Sequence, residues 1–285
     1  LIGFGGGART VSGSSAVEAG AGAVNFNGAT VTFGPGTTYG NVDTTVSGGT
    51  VNFSTGNTVT LDRLTLTAGT LGGSDNIDVV NTLVFNGSTV RGTGVLTNLP
   101  GSTATLGAIN NTASLADSRQ WVNQGSVDHQ GTNPFANLSL ANTSQFVNEG
   151  IYTHSGSDGG QISGSGSVTN TGTFTRTGTG DQLISAVFNN RGTVANNTAS
   201  SVFFNNGGAD LNATYQPNAG LIGFGGGART VSGTSAVEAG AGAVNFNGAT
   251  VTFGPGTAYG NVDTTVSGGT VNFNTANTVT LDRLT

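Results

Sequence analysis

Residues 1–65 of this chain return at 221–285 with four differences: Ser14 against Thr234, Thr38 against Ala258, Ser54 against Asn274 and Gly56 against Ala276. A near-identical tandem copy constrains the fold before composition does, because repeats that touch only their neighbours build a linear array. The expected organisation is one full unit over 1–220, followed without a linker by the opening of the next unit over 221–285. The pattern also implies a molecule that extends past these residues.

A shorter period lies inside the unit. The segments VNFNGATV at 24–31, TTVSGGTV at 44–51, LTLTAGTL at 64–71 and LVFNGSTV at 83–90 share one form: strand, small turn, Thr, apolar residue. Their alignment predicts a stacked column of Thr10, Thr30, Thr50, Thr70 and Thr89 in a first coil family over 1–98. A second family, over 114–215, follows an irregular passage at Leu99, Pro100 and Gly101. SLADSRQWVNQG at 114–125 matches SLANTSQFVNEG at 139–150 at seven of twelve positions. Its Asn-x-Gly turn recurs, predicting a second column of Asn123, Asn148, Asn170 and Asn190, an amide ladder of the kind that stacked strands support. With less regular anchors near Leu106 and Tyr215, about 20 residues per coil gives about 11 coils per 220-residue repeat.

Within each coil, tetrapeptides such as TVNF at 50–53 and RLTL at 63–66 alternate apolar with polar, which sends alternate side chains inward and outward. Three such strands per coil predict a triangular cross-section, and corner glycines fit turns that require positive φ. No apolar stripe of helical period occurs. The expected fold class is therefore all-β, a parallel β-helix in which stacking joins the apolar sides of successive coils into one core.

Composition narrows function. Charged residues make up 8% of the chain, against a usual ~25%, and all eight basic residues are Arg. A net charge of −6 argues against nucleic acid, whose phosphates require a basic face. No run of ~18 apolar residues is present, so membrane insertion by this segment is not expected. The absence of Cys excludes disulfides, and the absence of Lys excludes lysine chemistry and leaves trypsin few sites. The 35% hydrophobic content with 15 Phe, arranged in alternation, is too patterned for disorder.

The phrases VNQGSV, VNEGIY, TNTGTF and NNRGTV, with the GG-T-V phrases upstream, resemble the coils of bacterial β-helical surface proteins, namely filamentous-haemagglutinin-type adhesins and autotransporter passengers. The resemblance implies a right-handed parallel β-helix, export and display at the cell surface.

Candidate chemistry is sparse. His129 and His154 each follow a turn glycine by four residues, and the column continues to Arg176 and Asn196. Two histidines fall short of the three or four ligands of a metal site, so a stacked polar position is the reading. Asp75 and Asp78 lie in a loop with a superficial likeness to calcium-binding Gly-Asp repeats, and Asp43, Asp62 and Asn81 suggest a surface column. Pectin-degrading β-helices carry acidic clusters with a basic partner, and their motifs do not occur here. Regular Thr-x-Thr faces would indicate ice binding, and those at 30–32, 58–60 and 65–67 do not recur once per coil. The expected role is structural: no enzyme and no cofactor, an extracellular fibre, stalk or adhesin shaft, with further copies of the repeat as end-to-end partners and surface glycans as a possible target. A carbohydrate-binding or polysaccharide-degrading β-helix is the alternative, followed by an ice-binding solenoid.

Overall fold

The computed structural model describes residues 1–107, 111–131, 137–157 and 159–285. They form a parallel β-solenoid of about 13 turns of roughly 20 residues, with no helix among the described residues. Each turn has three faces. The first opens with Ile2–Phe4, the second with Ala8–Val11 and the third with Ala16–Val17. In the early turns the strands bend through the corners unbroken: Asp43–Phe53 serves the first two faces, and Val59–Gly73 serves all three. Later turns use short strands such as Gln120–Asn123, whose burial alternates as the sequence pattern requires.

Stacking produces interior columns of like residues. On the third face Val59, Ile77, Leu96, Trp121, Phe146, Val168 and Phe188 are successive register partners. Aromatic rings continue the packing along the axis, as at Tyr152–Phe174, stacked at 4.2 Å, and Phe33–Phe53 at 5.2 Å. Few large residues per turn suffice because every turn lends its apolar side to two neighbours.

Register corrects the threonine column. Thr30, Thr50, Thr70 and Thr89 are successive partners on the outside of the second face, and the column runs on into Ser114, Ser139 and Ser163. Thr10 is not a member, because it pairs with Thr32 while Ala8 pairs with Thr30. The first turn advances 22 residues, Ile2 to Val24, where the second advances 20, Val24 to Thr44. The loop at 18–22 is longer than its counterpart at 40–42, and counting by twenty misplaces Thr10 by two positions.

The turn count changes for a related reason. The interior column starting at Ile2 passes through Val24, Thr44, Leu64, Leu83, Ala104, Val127, Tyr152, Phe174 and Val194 to Tyr215 in ten steps. Its next member is Val237, not Ile222. Ile222, the copy of Ile2, stacks instead on Val202 of the second face. The 220-residue unit therefore makes ten and one third turns, rather than about 11. The second copy is rotated by one face: Leu221–Phe224 continues the second face, Ala228–Ser232 the third and Ala236–Val237 the first.

Candidate functional site

The asparagine positions lie where two kinds of interior meet. On the third face one inward column begins with Leu61 and Val79, then changes to Asn98, Asn123, Asn148, Asn170 and Asn190. All five amides are fully buried. Each of the first four donates Nδ2–H to the Oδ1 of the next, at 2.5, 2.6, 2.7 and 2.8 Å along the series. Asn123, Asn148 and Asn170 also donate to the carbonyls of Ile151, Thr173 and Thr193 in the turn above. Asn98 starts the ladder and accepts Trp121 Nε1–H at 2.9 Å. Sequence reasoning passed over it because Leu99, Pro100 and Gly101 replace the Asn-x-Gly turn; its interior position two residues after Leu96 was the available signal.

The turn glycines beside this ladder are needed for space, not for positive φ. None of Gly125, Gly150, Gly172 and Gly192 has positive φ. A Cβ on Gly150 would sit 2.1 Å from the Gly125 carbonyl oxygen, and one on Gly172 2.1 Å from that of Gly150. The stacked turns approach too closely for any side chain.

The histidine column changes character at the same boundary. Phe4, Phe26, Val46, Leu66, Phe85 and Leu106 give way to His129, His154, Arg176 and Asn196. The two imidazoles are buried with ring centroids 4.8 Å apart, and His129 Nδ1 meets the Tyr152 hydroxyl. Arg176 points its guanidinium at the carbonyls of His154, Gly156 and Gly180. Burial drives the Tyr152 phenol well above its ordinary pKa. This is interior packing closed from solvent, with no space for a substrate.

Two further buried arginines occupy the boundaries between coil families. Arg119, in the first turn of the second family, reaches back over Gly94 to the Asp75 carbonyl at 3.0 Å. Burial lowers its pKa to about 10, with Asp75 opposing the shift. Arg229 sits where the second unit begins. It donates to Asp210 Oδ1 at 2.8 Å, the Phe188 carbonyl at 3.0 Å and the Tyr215 hydroxyl at 3.3 Å, between the rings of Phe204 and Phe224. The Tyr215 hydroxyl donates to Asp210 Oδ2 at 2.8 Å. Burial alone would pull the Arg229 guanidinium down; Tyr215 and Asp210 together hold it above its usual value. Burial, with Asp210 adding to it, raises the Tyr215 phenol well above the usual range.

The surface carboxylates assemble little. Asp75 is buried and accepts from Thr55 N at 2.6 Å, Thr55 Oγ1 at 2.8 Å and Gly56 N at 3.1 Å. Oxygens facing donors in this way form a turn cap, not a cation site. Asn81 donates to Asp62. In the second copy Asp263 is the register partner of Arg283 and pairs with it at 3.0 Å, so an opposite charge faces that column. Among the described residues no group of three or more His, Asp or Glu could hold a metal ion. The outer threonines at 30, 50, 70 and 89 have Thr32, Asn52, Gly72 and Arg91 two places on, which breaks any Thr-x-Thr array. Comparison with known proteins gives no match to the chain, whether to a family model, a curated protein or a solved structure.

Proposed function

We propose that the chain is a segment of an extracellular shaft whose useful property is length. One observation carries this reading: the second copy of the unit is seated on the end of the first with no linker, and backbone pairing and core run straight through. Strand Ser201–Phe204 pairs with Leu221–Phe224, and the rings of Phe188, Phe204, Phe224 and Phe246 follow one another at 4.7, 5.7 and 5.4 Å. A duplication inserted this way lengthens a rod by one unit, about 50 Å at the ~4.8 Å strand spacing, and leaves every local contact as it was. The lack of Lys and the small number of Arg limit tryptic cleavage, which suits a protein displayed outside a cell. The chemistry gathered inside the solenoid is hydrogen bonding between turns, which serves cohesion.

Negative-stain microscopy tests the reading. The chain should image as a straight rod of about 60 Å, from 13 turns at the strand spacing, and each added 220-residue unit should lengthen it by about 50 Å. Compact particles, or units joined at variable angles, would refute it. Extended trypsin treatment of the folded protein should leave the rod intact; rapid fragmentation would remove the support for surface exposure.

A further inference from the structure

The same sequence occupies two environments in this molecule, and the difference isolates what a unit boundary requires. Arg9 is exposed at the open first turn, and its copy Arg229 is buried. Ile2 is 54% exposed, and its copy Ile222 is fully buried. Burial of Arg229 depends on residues supplied by the end of the preceding unit: Asp210, Tyr215 and the Phe188 carbonyl. Further contacts cross the same seam. Asn196 Nδ2 donates to the Leu221 carbonyl at 3.0 Å, Thr234 N to Asn212 Oδ1 at 3.0 Å, and the ring of Phe203 lies against Gly223 so closely that a Cβ there would meet it at 2.4 Å.

We infer that the first turn of the unit is a docking surface for the last turn of another copy of the unit, and that Asp210, Tyr215 and Arg229 form the lock that sets its register and its one-face rotation. Backbone pairing alone leaves register open, since a parallel strand can shift by two residues and keep the same side chains inside. Generic apolar turns would accept several shifts or faces. An Arg that must enter the core needs acceptors already aimed at it, because a buried unpaired charge is strongly disfavoured, and for Arg229 these are the Asp210 carboxylate and the Phe188 carbonyl. Asp210 therefore admits the next unit in one position. A consequence follows for longer arrays: successive units point in three directions in turn, and three units, thirty-one turns, restore the first orientation after about 150 Å. Any patch of the unit surface is then displayed on all sides of the shaft, as lateral attachment to several neighbours requires.

The chain contains no Cys, so paired cysteines read the seam directly. Thr214 and Ala236 are register partners on the first face, and Ser201 and Leu221 on the second. Neighbouring strands at ~4.8 Å fall within disulfide range, whereas the diagonal pair Thr214 and Glu238, about 8 Å apart, falls outside it. Under mild oxidation the Thr214→Cys/Ala236→Cys and Ser201→Cys/Leu221→Cys proteins should close, and the first should exceed Thr214→Cys/Glu238→Cys by about tenfold or more. Comparable closure by the diagonal pair would overturn the register and the rotation together. Adding Asp210→Leu/Arg229→Met, which keeps the site apolar and filled, should bring the two first-face pairs to within about twofold of each other, while adding Arg9→Met should leave the ratio unchanged; the ratio itself is the register preference, tenfold per ~1.4 kcal/mol. If the apolar pair does not fold by circular dichroism, Asp210→Asn/Arg229→Gln replaces it and should also lower the ratio. Full selectivity in a folded protein lacking the ion pair would refute the lock.

Discussion

Replacing Asn148 by Ala tests whether the amide ladder is a cooperative element or a row of tolerated polar residues. Asn148 is an interior rung. Its Nδ2 donates to Asn170 Oδ1 at 2.7 Å and to the Thr173 carbonyl at 2.9 Å, and its Oδ1 accepts from Asn123 at 2.6 Å. Truncation removes all three bonds, each worth about 1 kcal/mol net, and leaves Asn170 Oδ1 buried without its donor, a further cost of about 1–3 kcal/mol. Asn123 is partly spared, since its amide keeps the Ile151 carbonyl. The expected loss is about 4–6 kcal/mol. Asn190 is the end rung and supplies the comparison. It accepts from Asn170 at 2.8 Å and from Gly192 N at 3.2 Å, and its own Nδ2 donates to no further rung. Asn170 Nδ2 retains the Thr193 carbonyl when Asn190 is truncated, so Asn190→Ala should cost only about 1–2 kcal/mol.

Urea denaturation followed by Trp121 fluorescence measures the difference, because this sole Trp is buried in the same strand as Asn123. A local probe is appropriate, since long stacked arrays need not unfold in one step. Asn148→Asp should be worse than Asn148→Ala, because a carboxylate cannot donate and would face two acceptors. Equal losses at Asn148 and Asn190, or a loss below about 1 kcal/mol at Asn148, would refute the ladder as a source of stability.

The tyrosines give a pH dependence. Burial raises the phenols of Tyr39, Tyr152 and Tyr215, and pushes Tyr259 up to about 12. A phenol held protonated in the folded state contributes nothing adverse below its unfolded pKa near 10; above that pH the unfolded chain loses protons that the folded chain keeps, and stability falls by about 1.4 kcal/mol per pH unit for each group. Ultraviolet titration should show no phenolate near pH 10 and a cooperative appearance at higher pH as the solenoid unfolds; independent titration near 10 would contradict the burial. Arg119→Met should stabilise the protein by about 1 kcal/mol, since Nε and Nη2 of the guanidinium are buried without partners among the described residues and Asp75 keeps its three donors from Thr55 and Gly56. A lower melting temperature for that variant would show the buried cation to be better satisfied than its contacts indicate.

What was legible in the sequence was whatever repeats at short range. Strand parity gave the alternation of inside and outside, and the Asn-x-Gly phrases gave the rungs at 123, 148, 170 and 190, because the same turn phrase recurring once per coil stacks on itself even as the spacing tightens from 25 to 20 residues. What was hidden depended on loop length and on the interior as a whole. Thr10 was misplaced since two extra residues in the loop at 18–22 shift the register, and no composition rule reveals which corner takes them up. Asn98 was missed because it completes the ladder from a different turn phrase. The glycines of those turns were recognised as corners for the wrong cause: crowding by the carbonyl of the turn below selects Gly, not the sign of φ. The burial of Arg119 and Arg229 was not legible, because charge is usually outside and nothing near them in sequence reveals a partner 44 or 19 residues earlier.

The interior of this solenoid is graded, and the grading explains where its boundaries fall. In the first family the columns through Leu61 and Val79 and through Phe4 and Phe85 are apolar, so their cohesion is non-directional and nearly indifferent to which turn stacks on which. From Asn98 onward and through the second family the same columns become Asn98 to Asn190 and His129 to Asn196, where each turn must present an acceptor to the donor of its neighbour. Directional bonds rank the possible neighbours and apolar contact does not. Buried Arg119 and Arg229 stand at the two junctions where one kind of interior meets the other. A charge at such a point costs stability and removes alternatives, a balance known where a single buried polar residue fixes the register of a coiled coil. In a rod built from copies alike at all but four of 65 positions, mis-stacking is the characteristic hazard, since every unit start resembles every other. The seam answers it by placing a buried carboxylate for Arg229 at the turn where a new copy begins.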